Sequence, residues 1–207
     1  WEKATNELGN FYNIEVITLK NHGCCGHTFA AIDGLLTIIK SEQITANDIA
    51  SIEIATYSPA VKITNRDNPR TPQECKFSMQ YVVAHAAHYG SVRVNAFDKE
   101  RIDCPLIRNM LPKIKMTIDP DIDAAFPVRR AARICVKTKK GRTINHYQPT
   151  RKGDPDMPLS DDELEAKYRE LTTPVLGLDS TNKLLKQLWQ MDKIQLTKSL
   201  SNASISN

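Results

Sequence analysis

At 207 residues, 41% hydrophobic and 25% charged, the chain can bury a core and falls outside the disordered range. No apolar run reaches the ~20 residues of a membrane span, the first ten residues lack the pattern of a signal peptide, and a net charge of +4 from scattered basic residues does not indicate nucleic acid. Five cysteines without a C-x-x-C spacing imply free thiols in a reducing compartment, the cytoplasm or an organelle matrix.

In chain order, residues 1–13 are polar and read as the end of an incoming helix or linker, breaking near Gly9. Ile14 to Leu19 is a β-branched run that predicts a strand. The stretch Lys20-Asn21-His22-Gly23-Cys24-Cys25-Gly26-His27-Thr28 follows, and then Ile32, Leu35, Leu36 and Ile39 recur at helical spacing over 28–40. A polar, glycine-bearing turn from strand to helix start presents free amides at the positive end of a helix, which favours a bound anion. It also aims Lys20 and His27 at one pocket.

Residues 50–57 alternate as a strand, with Ala50, Ile52, Ile54 and Thr56 on one side. Ser58 to Glu74, rich in proline, reads as a long irregular loop whose Arg66 and Arg70 suit a carboxylate. A helix over 77–89 carries Ser78, Tyr81, His85 and His88 on a polar stripe opposite Met79, Val82, Val83 and Ala86. The run 98–110 predicts a helix interrupted near Pro105. Strands are expected over 113–118, 131–138 and 143–148, the last two joined at Gly141 within a basic hairpin tip. The fold class is α+β: a mixed or antiparallel sheet with helices on one face over 14–150, then a C-terminal helical segment over 151–207. In that segment Ser160 and Glu163 make a capping box, a helix spans 161–171, and a second over 181–193 buries Leu184, Leu185, Leu188 and Trp189. The end from Ser199 to Asn207 is expected to fray.

The Lys20–Thr28 stretch resembles the lysine–cysteine–histidine motif of the MmgE/PrpD family, which includes 2-methylcitrate dehydratase, cis-aconitate decarboxylase and an iminodisuccinate epimerase. Two further stretches are similar to that family: residues 74–84, with Phe77, Ser78, Tyr81 and Ala84, and Gly153-Asp154-Pro155-Asp156-Met157-Pro158-Leu159-Ser160. Gly23 stands where the family often has proline, and Gly26 where a larger residue is commoner. The resemblance covers the C-terminal part of a family member, which begins with a long helical domain that would be this chain's partner. It implies a lid-type domain, a homodimeric full-length enzyme, no metal, no organic cofactor and a small carboxylic acid as substrate.

Abstracting a proton next to a carboxylate requires a base and a group that holds the developing anion. Lys20, partly desolvated, is the candidate base or cation, His27 the proton shuttle, and Tyr81 a hydrogen-bond donor to a substrate oxygen. Cys24, Cys25, Arg66, Arg70 and Ser78 are candidate substrate contacts. A metal at His22, Cys24, Cys25 and His27 is not expected, because adjacent cysteines point apart and no zinc spacing is present. Two readings stand: the C-terminal part of a cofactor-free lyase, dehydratase-like with decarboxylation and epimerisation as alternatives, or a catalytically silent module that binds an anion or a partner.

Overall fold

The helical spacing of Ile32, Leu35, Leu36 and Ile39 produces α1 (Phe29–Glu42), whose buried residues form the spine of the core. The computed structural model describes Thr5 and residues 8–193, which fall into two units, Trp1–Pro158 and Leu159–Asn207. In the first unit β1 (Ile49–Thr56), β2 (Ile114–Ile118), β3 (Ala132–Thr138) and β4 (Thr143–Gln148) make one sheet in the order β2-β1-β3-β4. β1 is parallel to β2 and antiparallel to β3, and β4 is antiparallel to β3, so the sheet is mixed and the fold is α+β.

Strand alternation sorts the side chains. Ile52, Ile54, Ile134 and Val136 join α1 and α4 (Met79–Tyr89) in the core, whereas Glu53, Arg133 and Tyr147 stay open to solvent. A bulge between Ile49 and Ser51 shifts the register, so Ile49 and not Ala50 is the buried residue at the start of β1. Helix and sheet approach closely at Gly34, where a Cβ would lie 2.3 Å from Ile134 Cδ1.

The strand expected over Ile14–Leu19 does not form. A 3₁₀ turn occupies Asn13–Val16, with Glu15 N–H donating to Tyr12 O (3.0 Å), and the run joins no ladder; Leu19 N–H reaches Gly153 O (2.9 Å). Ile14, Val16, Ile17 and Leu19 are consequently exposed. The loop expected over 58–74 is instead broken by α2 (Ser58–Thr64) and α3 (Pro72–Lys76). Pro59 and Pro72 sit in the first helical positions, where the missing N–H costs nothing; they start helices rather than end them. The 98–110 run is split into α5 (Lys99–Ile102) and α6 (Pro105–Met110), and α7 (Pro120–Ala125) leads towards β3.

Residues 151–158 belong with the first unit rather than with the terminal helices. In the second unit α8 (Asp161–Leu176) starts at the Ser160–Glu163 capping box and runs past the expected end, with Pro174 inside it. Gly177 turns the chain into α9 (Leu178–Leu188). The two helices are tied by Trp189 Nε1–H to Glu165 Oε1 (2.8 Å); Leu185 is buried but Leu188 and Trp189 are exposed, contrary to expectation. Residues 1–4, 6–7 and 194–207, including most of the expected first helix and the terminal tail, lie outside the described residues.

Candidate functional site

The turn over 20–28 leads from an extended segment, not a strand, into a 3₁₀ turn (Gly26–Thr28) and α1. Its backbone is anchored to two neighbours: Gly23 N–H donates to Val92 O and Cys25 N–H to Lys76 O, each at 2.9 Å, and the Arg93 guanidinium donates to Asn21 O. Those anchors leave Lys20, Cys25, Gly26 and His27 lining a cleft of about 290 Å3, completed by Thr18, Phe29, Arg130 and Arg151.

His27 is half-buried, with Nδ1 2.8 Å from the Tyr57 hydroxyl. Tyr57 is itself fixed by stacking on Phe126, ring centroids 4.6 Å apart. Burial, and then the charges of Arg130 and Arg151, hold the imidazole below the usual histidine range, so His27 is neutral near pH 7. Burial pushes the Tyr57 phenol up to about 12, so its hydroxyl keeps its proton and can donate to Nδ1 or accept from it. Nε2 of His27 is thereby free to serve a ligand as acceptor or as donor.

The third stretch read from the sequence closes the same site. The buried Arg151 guanidinium grips both oxygens of Asp154, from Nε at 2.9 Å and from Nη2 at 2.6 Å. Thr18 joins the pair, accepting from Arg151 Nη2 (2.9 Å) and donating to Asp154 Oδ1 (2.6 Å). Burial disfavours the Asp154 carboxylate, but the Arg151 and Thr18 hydrogen bonds outweigh it and hold the group below its ordinary range. Behind this pair Asp33, a buried carboxylate on α1, takes His22 Nε2 (2.9 Å) on one oxygen and Lys152 N–H (2.8 Å) on the other. Gly153 is required here: its φ is +99°, and a Cβ would fall 2.0 Å from Leu19 O. The turn, the start of α1 and the 151–157 loop are therefore one assembly. Three cations, Lys20, Arg130 and Arg151, meet one carboxylate, Asp154, beside a helix start. The balance suits an anion carrying more than one negative charge.

Of the residues singled out from the sequence, Lys20, Cys25 and His27 meet in this cleft. Lys20 is exposed rather than partly desolvated, with Nζ 3.4 Å from Cys24 O. Cys24 points away into the core, 3.2 Å from Thr28 Oγ1; burial pushes its thiol up to about 12 and leaves it unreactive. Tyr81 is fully buried and donates its hydroxyl to Ala96 O. Ser78 caps α4, accepting from Tyr81 N–H and donating to Arg66 O at 2.5 Å. Arg66 and Arg70 do not reach the cleft, and Arg70 lines another cavity. Sequence reading missed Tyr57, Arg130 and Arg151. Arg151 had a signal in standing just before the Gly153–Ser160 motif, whereas Tyr57 was only the last residue of a predicted strand. Among the described residues no three His, Cys, Asp or Glu side chains are placed to share a metal ion.

Fold and site together define an α+β domain whose cleft is assembled around short sequence motifs, and a family comparison places it. Residues 22–191 match the MmgE/PrpD C-terminal domain, and the chain belongs to that family. It is 27% identical over 151 residues to cis-aconitate decarboxylase of Mus musculus, covering 71% of this chain and 31% of that protein. It is 28% identical over 137 residues to the Homo sapiens cis-aconitate decarboxylase, covering 66% and 28%. To the cis-aconitate decarboxylase-like protein oryM of Aspergillus oryzae it is 22% identical over 191 residues, covering 88% and 39%. The matched region thus spans about a third of these relatives' length.

Proposed function

We propose that this chain supplies one wall of the active site of a cofactor-free lyase acting on a small polycarboxylic acid, the other wall and further acid–base groups coming from a helical domain of the full-length protein. The observation that carries this reading is the single cleft in which a neutral His27 faces the same space as Lys20, Arg130 and Arg151. The cations and the start of α1 hold substrate carboxylates and stabilise charge that develops on the adjacent carbon. His27 Nε2 takes the proton from that carbon, with Tyr57 fixing the ring through Nδ1. In the dehydratase reading, of the 2-methylcitrate type, loss of hydroxide from the neighbouring carbon follows.

A second reading is favoured by the names of the three relatives, decarboxylation of an acid of the cis-aconitate type. Here carbon dioxide leaves, its bonding electrons remain on carbon, and His27 delivers a proton instead of removing one. A bound carboxylate opposes the effect of Arg130 and Arg151 on the imidazole and brings it back towards protonation, so the same histidine serves either direction. The exposed apolar side chains of Phe11, Ile14, Val16 and Ile17 support a further domain covering this end.

The test is steady-state kinetics of the full-length protein on 2-methylcitrate and on cis-aconitate, following alkene formation and carbon dioxide release. Lys20→Met is expected to lower kcat/KM by about 10- to 100-fold, the range for losing one charge-assisted hydrogen bond to a carboxylate. Near-normal kcat/KM for Lys20→Met, or no turnover of either acid by the intact protein, would overturn the reading in favour of a silent anion-binding module.

A further inference from the structure

Arg70, singled out from the sequence as a carboxylate ligand, lines a larger cavity of about 520 Å3 that shares no lining residue with the His27 cleft. Its walls are the segment after α2, Gln80 on α4, Arg108 on α6 and the edge strand β2. Three cations, Arg70, Arg108 and Lys115, face it against one carboxylate, Asp67. The nearby Asp103 is engaged by Lys99 at 2.7 Å. Arg108 is held at one corner, Nη2 donating to Pro69 O at 2.7 Å, while Nε and Nη1 are buried and have no hydrogen-bond partner. The cavity thus carries a net positive charge beside a guanidinium whose hydrogen-bonding capacity is not used up by the described residues. The wall beside it is preset: Gln80 donates to Asn65 Oδ1 (2.6 Å) and accepts from Arg66 N–H (3.2 Å). Leu111, Ile114 and Met116 give the cavity an apolar side.

We propose that this cavity is a second binding site, for a small oxyanion, a carboxylate or a phosphate carrying a short apolar body. Arg108 and Arg70 grip the oxyanion, Lys115 at the exposed edge of β2 adds charge, and the apolar side holds the body. This assignment is independent of any catalytic role for the His27 cleft.

The experiment titrates ¹⁵N-labelled protein with inorganic phosphate and, separately, with tricarballylate, following backbone amides and the Arg108 Nε–H. Saturable shifts at residues 65–70, Arg108 and Lys115 are expected for at least one anion, and which anion produces them identifies the oxyanion chemistry. The double variant Arg70→Gln/Lys115→Gln changes two exposed side chains and so leaves the fold intact. It is expected to weaken the saturable binding about tenfold or more. Shifts that never saturate, that fall only on residues of the His27 cleft, or that persist unchanged in the double variant would overturn the proposal.

Discussion

The start of α4 and the start of α1 both carry hydroxyls and imidazoles at close spacing, and the structure uses them differently. On α4 three polar groups are taken by backbone carbonyls of connecting segments, Ser78 Oγ by Arg66 O, the Tyr81 hydroxyl by Ala96 O and His85 Nδ1 by Ser91 O at 2.8 Å, while the remaining nitrogen of His85 is shut inside the protein rather than opened to a cleft. These residues sew non-ladder segments onto the core, where an unmet carbonyl would be costly. At α1, His27 spends one nitrogen on Tyr57 and keeps the other, and its neighbours Lys20 and Arg130 face the same open cleft. A polar stripe along a helix is therefore weak evidence of chemistry. What distinguishes the cleft is polar atoms left uncommitted in a cavity of one dominant charge.

The comparison is broken most directly by exchanging its two kinds of residue. His27→Gln in the full-length protein is expected to lower kcat by about 10²- to 10⁴-fold, the usual contribution of a positioned acid or base. The check is steady-state turnover with circular dichroism as a folding control. Gly153→Ala, which forces a Cβ onto Leu19 O at φ +99°, is expected to cost about 2–4 kcal/mol in chemical denaturation, combining backbone strain with a clash. Its loss of stability should be accompanied by a weaker hold on Arg151. Tyr81→Phe is expected to leave kcat within a few-fold and to lower the unfolding free energy by about 1–3 kcal/mol, because Ala96 O loses its donor. A large fall in kcat for Tyr81→Phe at unchanged stability would put the two helix starts in one class after all.

The elements of the fold were legible wherever periodicity and burial agree. Helix α1, helix α4 and all four observed strands follow from side chains that alternate or recur because one face packs. Ile14 to Leu19 failed because β-branched composition says that a segment is stiff, not that a strand edge is available to it. The 58–74 segment failed because proline marks helix starts as well as breaks. Within the site, Lys20, Cys25 and His27 were legible because one local turn contains them. Tyr57, Arg130 and Arg151 were not, since they arrive from the end of β1, from the segment before β3 and from the loop after β4. Only tertiary packing brings such residues together, and no local spacing records it.

The smallest expected effect is a shift in pH dependence, and it separates the two roles open to His27. Burial first, then Arg130 and Arg151, lowers the imidazole from its ordinary value near 6.5. Replacing Arg130 with Met removes one of those charges and must raise it again, since a nearby cation disfavours a second positive charge. If His27 acts as a base in the free enzyme, kcat/KM falls as acid protonates it, and the acidic limb of the profile should move to higher pH in Arg130→Met. If it acts as an acid, activity is instead lost on the alkaline side as the imidazole deprotonates, and that limb should move to higher pH. Folding stability follows the same group with a fixed sign. The lowered value means that the unfolded chain takes up the proton first, so stability present above about 6.5 is lost as pH falls towards the folded value. Arg130→Met should lessen that loss, which denaturant titrations across the acidic range will measure. A profile whose limbs stay fixed in Arg130→Met while the stability curve shifts would place His27 within the electrostatics of the cleft but outside the proton transfer.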